Sequence, residues 1–215
     1  MRILALDTAA AHCAVALVES GRATGTLTEK MDRGQAERLM PLAQTLLASQ
    51  GLVWRDVDAL AVGIGPGNFT GIRIAVAAAR GLALALDIPA IGVSTFEALA
   101  HGTEGPVLAS LDAKRERFYL QGFGMADMPP RLSDLVALRH FALPAGTLVI
   151  GHRARELADI LELHAGPEDE VPPPEAFALV AAARPGPHVP PAPLYLRTPD
   201  AAPPAELPPA ILDDA

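Results

Sequence analysis

Two short apolar runs, residues 3–7 and 13–19, open the chain, and Gly21 follows them as a turn signal. Residues 23–29 are polar and Thr-rich with weak alternation, so the three segments together predict a β-meander. The period then changes. Ala36, Leu39, Met40, Ala43, Leu46 and Leu47 recur at three- and four-residue steps, and Gly51 stands where a helix C-cap belongs, so residues 35–50 predict a helix. Residues 59–62 read as a buried strand. Residues 71–86 read as a second helix, stopped before Ile88-Pro89. Residues 90–93 form another strand, after which Ser94 or Thr95 can cap a short helix through Ala100.

The order β-β-β-α-β-α-β points to a mixed sheet with helices packed on it. It is the order of the ribonuclease-H-like fold that actin, sugar kinases and Hsp70 nucleotide domains share. The second half repeats part of it. Val107-Leu108-Ala109-Ser110-Leu111-Asp112-Ala113 is patterned like Ile3-Leu4-Ala5-Leu6-Asp7-Thr8-Ala9. Each is a strand ending in Asp, and each precedes a second strand, at 13–19 and at 117–123. A further strand at 147–150 and helices at 153–163 and 177–183 follow. The predicted class is α/β, a tandem of two ribonuclease-H-like lobes with mixed sheets flanked by helices. The first lobe takes residues 1–102 and a smaller second lobe takes 103–198. Residues 199–215 are Pro/Ala-rich and end in Asp213-Asp214 before the final Ala. Such a tail buries too little apolar surface to offset its ordering entropy, so it is expected to be extended or disordered.

The helix at 71–86 is the strongest physical clue. Only Gly71, Arg73, Arg80 and Gly81 in it are not apolar. Ile72, Ala75, Val76, Ala79, Leu82, Ala83 and Leu86 form a stripe for the core, while Ile74, Ala78 and Ala85 lie on another face. A helix apolar nearly all round is buried on both sides, and a chain this small has little to cover a second face. The reading is an oligomer interface that uses Leu39, Leu42 and Leu46 of the first helix with Ile72, Arg73, Ile74, Ala78, Gly81 and Ala85 of the second. The competing reading is that the first helix and the second lobe cover that face. Arg73 sits in the first turn, where a cation opposes the helix dipole, so another group must use it.

Candidate chemistry is sparse. Residues 62–73 leave a strand, turn through Gly63, Gly65 and Gly67 and enter the helix. Glycines let a backbone approach a ligand closely, and a helix start attracts anions. Yet the loop lacks the Gly-Lys-Ser/Thr of a Walker A loop and places Asn68 where a Gly-x-Gly-x-x-Gly pattern ends. It is either a tight packed turn or a contact for phosphate or a partner. Asp7, Thr8, Gly65, Gly67 and Asp112 could hold a metal-bound nucleotide phosphate, although Ala9, Ala10 and Ala11 remove most of the hydroxyls such a loop would use. The six histidines have no i, i+3 or i+4 pair, so a His-x-x-x-His metal site is missing, as is a Gly-x-Ser-x-Gly elbow. Cys13 is the sole cysteine, which excludes an internal disulfide, and its apolar setting predicts a buried, inert thiol. The net charge of −8, with 17 scattered Lys and Arg, argues against free nucleic-acid binding. The N-terminus lacks a signal-peptide pattern, and Arg80 and Gly81 interrupt the longest apolar stretch, so a cytoplasmic protein without membrane spans is expected.

These stretches resemble the TsaB (YeaZ) family, which takes part in making threonylcarbamoyladenosine in bacterial tRNA. The likeness rests on Ile3-Leu4-Ala5-Leu6-Asp7-Thr8, on Ala36-Glu37-Arg38-Leu39-Met40-Pro41 and above all on Gly65-Pro66-Gly67-Asn68-Phe69-Thr70-Gly71-Ile72-Arg73-Ile74. It continues through Gly81-Leu82-Ala83-Leu84 and Ile91-Gly92-Val93-Ser94, then thins to Leu111-Asp112-Ala113 and Tyr195-Leu196-Arg197. The resemblance implies an actin-like fold and a non-catalytic subunit that supports the catalytic TsaD together with the ATPase TsaE. Pairing would run through the two first-lobe helices, with TsaD or with a second copy of the chain. ATP and Mg²⁺ would be used by the complex rather than by this chain, and tRNA would be reached only through the complex. Gln35, Ala9, Ala10 and Asn68 depart from the family pattern. An actin-like ATPase or small-molecule kinase, and a metallopeptidase, stand as the other readings.

Overall fold

Strand β1 (Arg2–Asp7) and strand β2 (His12–Glu19) carry apolar residues at successive positions because both faces of their sheet are covered. Leu4, Leu6, Val15 and Leu17 face one core; Ile3, Ala5, Ala16 and Val18 face another. Strand β3 (Arg22–Lys30) lies at the edge with its side chains exposed or half-buried, which explains its polar, Thr-rich composition. Strands β4 (Ala59–Gly63) and β5 (Ala90–Val93) run parallel to β1 and complete the order β3-β2-β1-β4-β5. The computed structural model describes residues 1–126 and 128–197, so the tail expected at 199–215 lies outside the described residues.

Helices α1 (Gln35–Ser49) and α2 (Phe69–Leu86) cover the first of these faces. After α1, Gly51 takes a left-handed φ of 69°, and Leu52 N–H closes on the Leu47 carbonyl. Helix α2 starts two residues before the sequence places it. The reason is Asn68, whose side-chain oxygen accepts from the Thr70 and Gly71 amides at 3.0 Å each. Asn is among the residues most favoured at a helix N-cap. The result is an apolar helix of 18 residues, long enough by length and composition to cross a membrane, although Ile72, Ala75, Val76 and Ala79 are packed into the core.

The second sheet repeats the first. Strands β6 (Val107–Asp112), β7 (Arg117–Phe123) and β8 (Arg131–Asp134) pair antiparallel, β9 (Leu148–Gly151) joins β6 in parallel, and β10 (His164–Ala165) joins β9. The order β10-β9-β6-β7-β8 is the order of the first sheet with β6 in the place of β1. The duplicated plan expected from the two Asp-ended strands is therefore present. Helices α4 (Leu135–Leu138) and α5 (Ala154–Leu161) flank this sheet. The short helix α3 (Thr95–Ala100) lies between the lobes, with Ala98 in the first lobe's second core and Phe96 in the core of the other.

One assignment is corrected. Helix α6 (Pro174–Ala182), in the stretch assigned to the second lobe, buries Ala176, Phe177, Ala178 and Ala181 against the first sheet, opposite α1 and α2. The first sheet has a second apolar face to cover, and the six residues of α3 cannot cover it alone. The chain then runs back as a strap. Arg184 pairs with Glu97 and the Gly92 carbonyl, Leu194 N–H donates to the Ile64 carbonyl at 2.8 Å, and Leu196 packs on the second lobe.

Candidate functional site

The two Asp-ended strands bring Asp7 and Asp112 to one cleft between the sheets. Its cavity measures about 130 Å³, and its lining includes His12, Thr95 and Glu170. Nucleotide-sized ligands occupy pockets of roughly 300–1,000 Å³. Each carboxylate there already holds a base of its own chain. Asp7 Oδ2 accepts from His12 Nε2 at 2.6 Å, with both side chains nearly fully buried. Asp112 accepts from the Lys114 amide at 2.7 Å and from its ammonium group. Burial alone would raise the Asp112 carboxyl, but the Lys114 contacts outweigh it and hold it below its usual range. Glu170 Oε1 meets His152 Nδ1 at 2.6 Å.

The glycine loop is a packed turn. Thr8 is fully buried and its hydroxyl donates to the Gly71 carbonyl at 2.6 Å. Asn68 N–H donates to the Ala9 carbonyl at 2.6 Å. A Cβ on Gly71 would lie 1.8 Å from the Thr8 carbonyl oxygen, and one on Gly67 would lie 2.3 Å from that of Ala9. Gly65 has φ 89°, and its carbonyl accepts from Thr95 N–H at 2.8 Å. Backbone of the same chain thus fills the approach these glycines permit. Thr8 and Gly65 turn inward, and only Asp7, Gly67 and Asp112 of the five phosphate candidates line the cavity. The donor set does not fit a metal-bound nucleotide.

The helical surface differs from its expected composition. Leu39, Leu42, Leu46 and Ile72 are 1–2% exposed and belong to the core, so they are withdrawn as direct partner contacts. Their three- and four-residue spacing marks the face turned to the sheet. Ile74 and Ala78 are half-buried and pack against that core. Arg73, Gly81 and Ala85 are exposed. Leu84, which the stripe argument passed over, is 87% exposed. Between the second half of α2 and the proline-rich segment at 188–191 lies an open groove of about 590 Å³, lined in part by Arg80, Gly81, Leu84 and Pro191.

Arg73 has an internal use. Its guanidinium lies 3.8 Å above the Phe69 ring, and its Nε donates to the Tyr195 hydroxyl at 2.8 Å. The Phe69 and Tyr195 rings are 4.6 Å apart. A cation that opposes the helix dipole is thereby held by two aromatic rings, and the strap is tied to the start of α2. Cys13 is buried, and burial, aided by Glu29 and Asp7 against Arg38, pushes its thiol up to about 11. It is the inert core residue expected.

Comparison with known proteins bears on the family and the fold. Residues 16–136, more than half of the chain, match the family model described as TsaD: tRNA N6-adenosine threonylcarbamoyltransferase. A curated relative from Escherichia coli (strain K12), tRNA threonylcarbamoyladenosine biosynthesis protein TsaB, is 42% identical over 124 residues, covering 55% of this chain and 53% of the relative. The chain spans about half the length of the curated relatives it matches. A solved structure described as an uncharacterized protein with similarity to peptidase YeaZ from Pseudomonas aeruginosa superposes with a TM-score of 0.74 at 30% identity, covering 91% of this chain and 99% of that one. In fold alone, the ethanolamine utilization protein EutJ from Carboxydothermus hydrogenoformans aligns at 10% identity with a TM-score of 0.51, over 83% of this chain and 89% of that one. The two-lobed actin-like architecture follows.

Proposed function

Since this chain belongs to the TsaB (YeaZ) family, we propose that it is a non-catalytic partner subunit in the formation of threonylcarbamoyladenosine in tRNA. Its role is to bind and support a TsaD catalytic subunit, together with TsaE, in the cytoplasm, and tRNA is met only through that complex. The observation that carries the reading is α2. Its 18 residues have a mean hydropathy of 1.5, yet only 28% of them are buried within the chain. Leu84 stands almost fully in solvent beside exposed Ala85. An apolar face of this kind on a folded domain marks a protein partner. The cleft supports the same reading, because its carboxylates are engaged internally. Among the described residues no group of three His, Cys, Asp or Glu side chains is placed to hold a metal ion, which disfavours the metallopeptidase reading.

Size-exclusion chromatography with light scattering tests the proposal, on this chain alone and mixed with the TsaD of the same organism. A stable one-to-one complex that modifies tRNA once TsaE, ATP and the threonylcarbamoyl adenylate are supplied is the expected result. No complex under any nucleotide condition would overturn it.

A further inference from the structure

The buried pair at the floor of the cleft has a role of its own. We propose that His12 is the specificity-determining residue of the inter-lobe cleft: a built-in basic partner that occupies Asp7 and so excludes divalent metal–phosphate ligands. The inference does not rest on the partner reading above.

The geometry is specific. An ionised carboxylate only accepts hydrogen bonds, so the 2.6 Å contact is a donation from His12 Nε2–H to Asp7 Oδ2. The other oxygen, Oδ1, accepts from the Ala9 amide at 3.2 Å. Its remaining side is closed by β4, where a Cβ on Gly63 would fall 2.1 Å from Oδ1. Both oxygens are thus taken by β1's own neighbours, and the side chains of Asp7 and His12 are only 4% and 7% exposed. A magnesium ion needs a carboxylate oxygen at roughly 2.0–2.1 Å, with room for several waters or phosphate oxygens around it. Here the cavity is about 130 Å³ and is lined by both Asp7 and His12.

The remaining carboxylates of the cleft are engaged as well, Asp112 by the Lys114 amide and ammonium group and Glu170 by His152 Nδ1 at 2.6 Å. These two pairs are partly exposed, so a ligand could displace them. The Asp7–His12 pair is not, which makes His12 decisive. Removing the imidazole leaves a buried carboxylate oxygen without its hydrogen-bond partner, a destabilising arrangement that a bound cation relieves.

Mn²⁺ titration followed by electron paramagnetic resonance or calorimetry tests this on the full chain. The wild type should show no saturable Mn²⁺ site that depends on Asp7. His12→Ala should gain one, and His12→Ala/Asp7→Asn should lose it again. If His12→Ala fails to fold by circular dichroism, His12→Leu, which fills much of the space without a donor, carries the same comparison. No gain in the folded variant, or a wild-type Mn²⁺ site abolished by Asp7→Asn, overturns the proposal. Association of the folded variant with TsaD should be unchanged, so a failure of the partner reading would show separately.

Discussion

At the scale of single residues, the glycines show why one amino acid can mean opposite things within one helix. Gly71 is required. A methyl group there would collide with the Thr8 carbonyl, whose own residue holds the Gly71 carbonyl by a hydrogen bond. Gly81 is on the exposed side of the same helix, and a methyl group there meets nothing within 4 Å. Gly71→Ala should therefore destabilise the chain by about 3 kcal/mol or prevent folding. Gly81→Ala should instead stabilise it by roughly 0.5–1 kcal/mol. Urea unfolding followed by circular dichroism reads both. Equal effects of the two substitutions would mean that the loop-to-helix junction yields more readily than its packing indicates. The glycine-rich loop was legible as a site of close backbone approach. What approaches it was not, because the Thr8–Ala9 turn lies some sixty positions earlier. His12 escaped notice for a related reason. A search of helical spacings cannot see a residue that a hairpin folds back onto Asp7.

At the scale of the element, α2 was legible in type and nearly in extent, and its double apolar character was visible in composition. Which residues form each face was only half legible. Ile72, Ala75, Val76 and Ala79 are buried as the period demands, whereas Leu82, Ala83 and Leu86 are only half-buried. Toward its C-terminus α2 leaves the sheet, and the stripe that began as core ends as surface. Composition cannot show where a helix outruns the layer beneath it. The distinction decides which substitution probes the interface. Ala78 still packs against the core, so a charged residue there would confuse folding with pairing. Leu84, at 87% exposure, does not. Leu84→Arg should leave the urea midpoint within about 0.5 kcal/mol of wild type, as surface substitutions do. It should weaken association with TsaD by at least roughly tenfold, the loss of a buried leucine contact of about 1.4 kcal/mol or more. Unchanged association would move the interface off α2.

At the scale of the whole molecule, the two lobes were legible as a repeat because β1 and β6 carry the same pattern and the same terminal Asp. What the pattern hid is that the repeats are not independent bodies. Strands β8 and β10 are short and polar, with four and two residues, and give almost no periodic signal. Helix α6 carries an apolar sequence with no preference between the lobes; only the uncovered face of the first sheet decides where it goes. That face comprises Ile3, Ala5, Ala16, Val18, Ala59, Ala61, Ile91 and Val93, and Phe177 is the largest side chain laid on it. A fragment of residues 1–102 would keep every strand of the first sheet and both large helices, yet leave this face to the short α3 alone. Apolar patches of several hundred Å² are uncommon on stable monomers and drive aggregation. The fragment should bind an apolar dye such as ANS and melt without a cooperative transition, while the full chain melts cooperatively and binds little dye. Phe177→Ala in the full chain should cost about 3–5 kcal/mol by the same contacts. A fragment that melts cooperatively and stays dark to the dye would show that the first lobe closes its own core. The late helix would then be an addition to that lobe and no part of what holds it together.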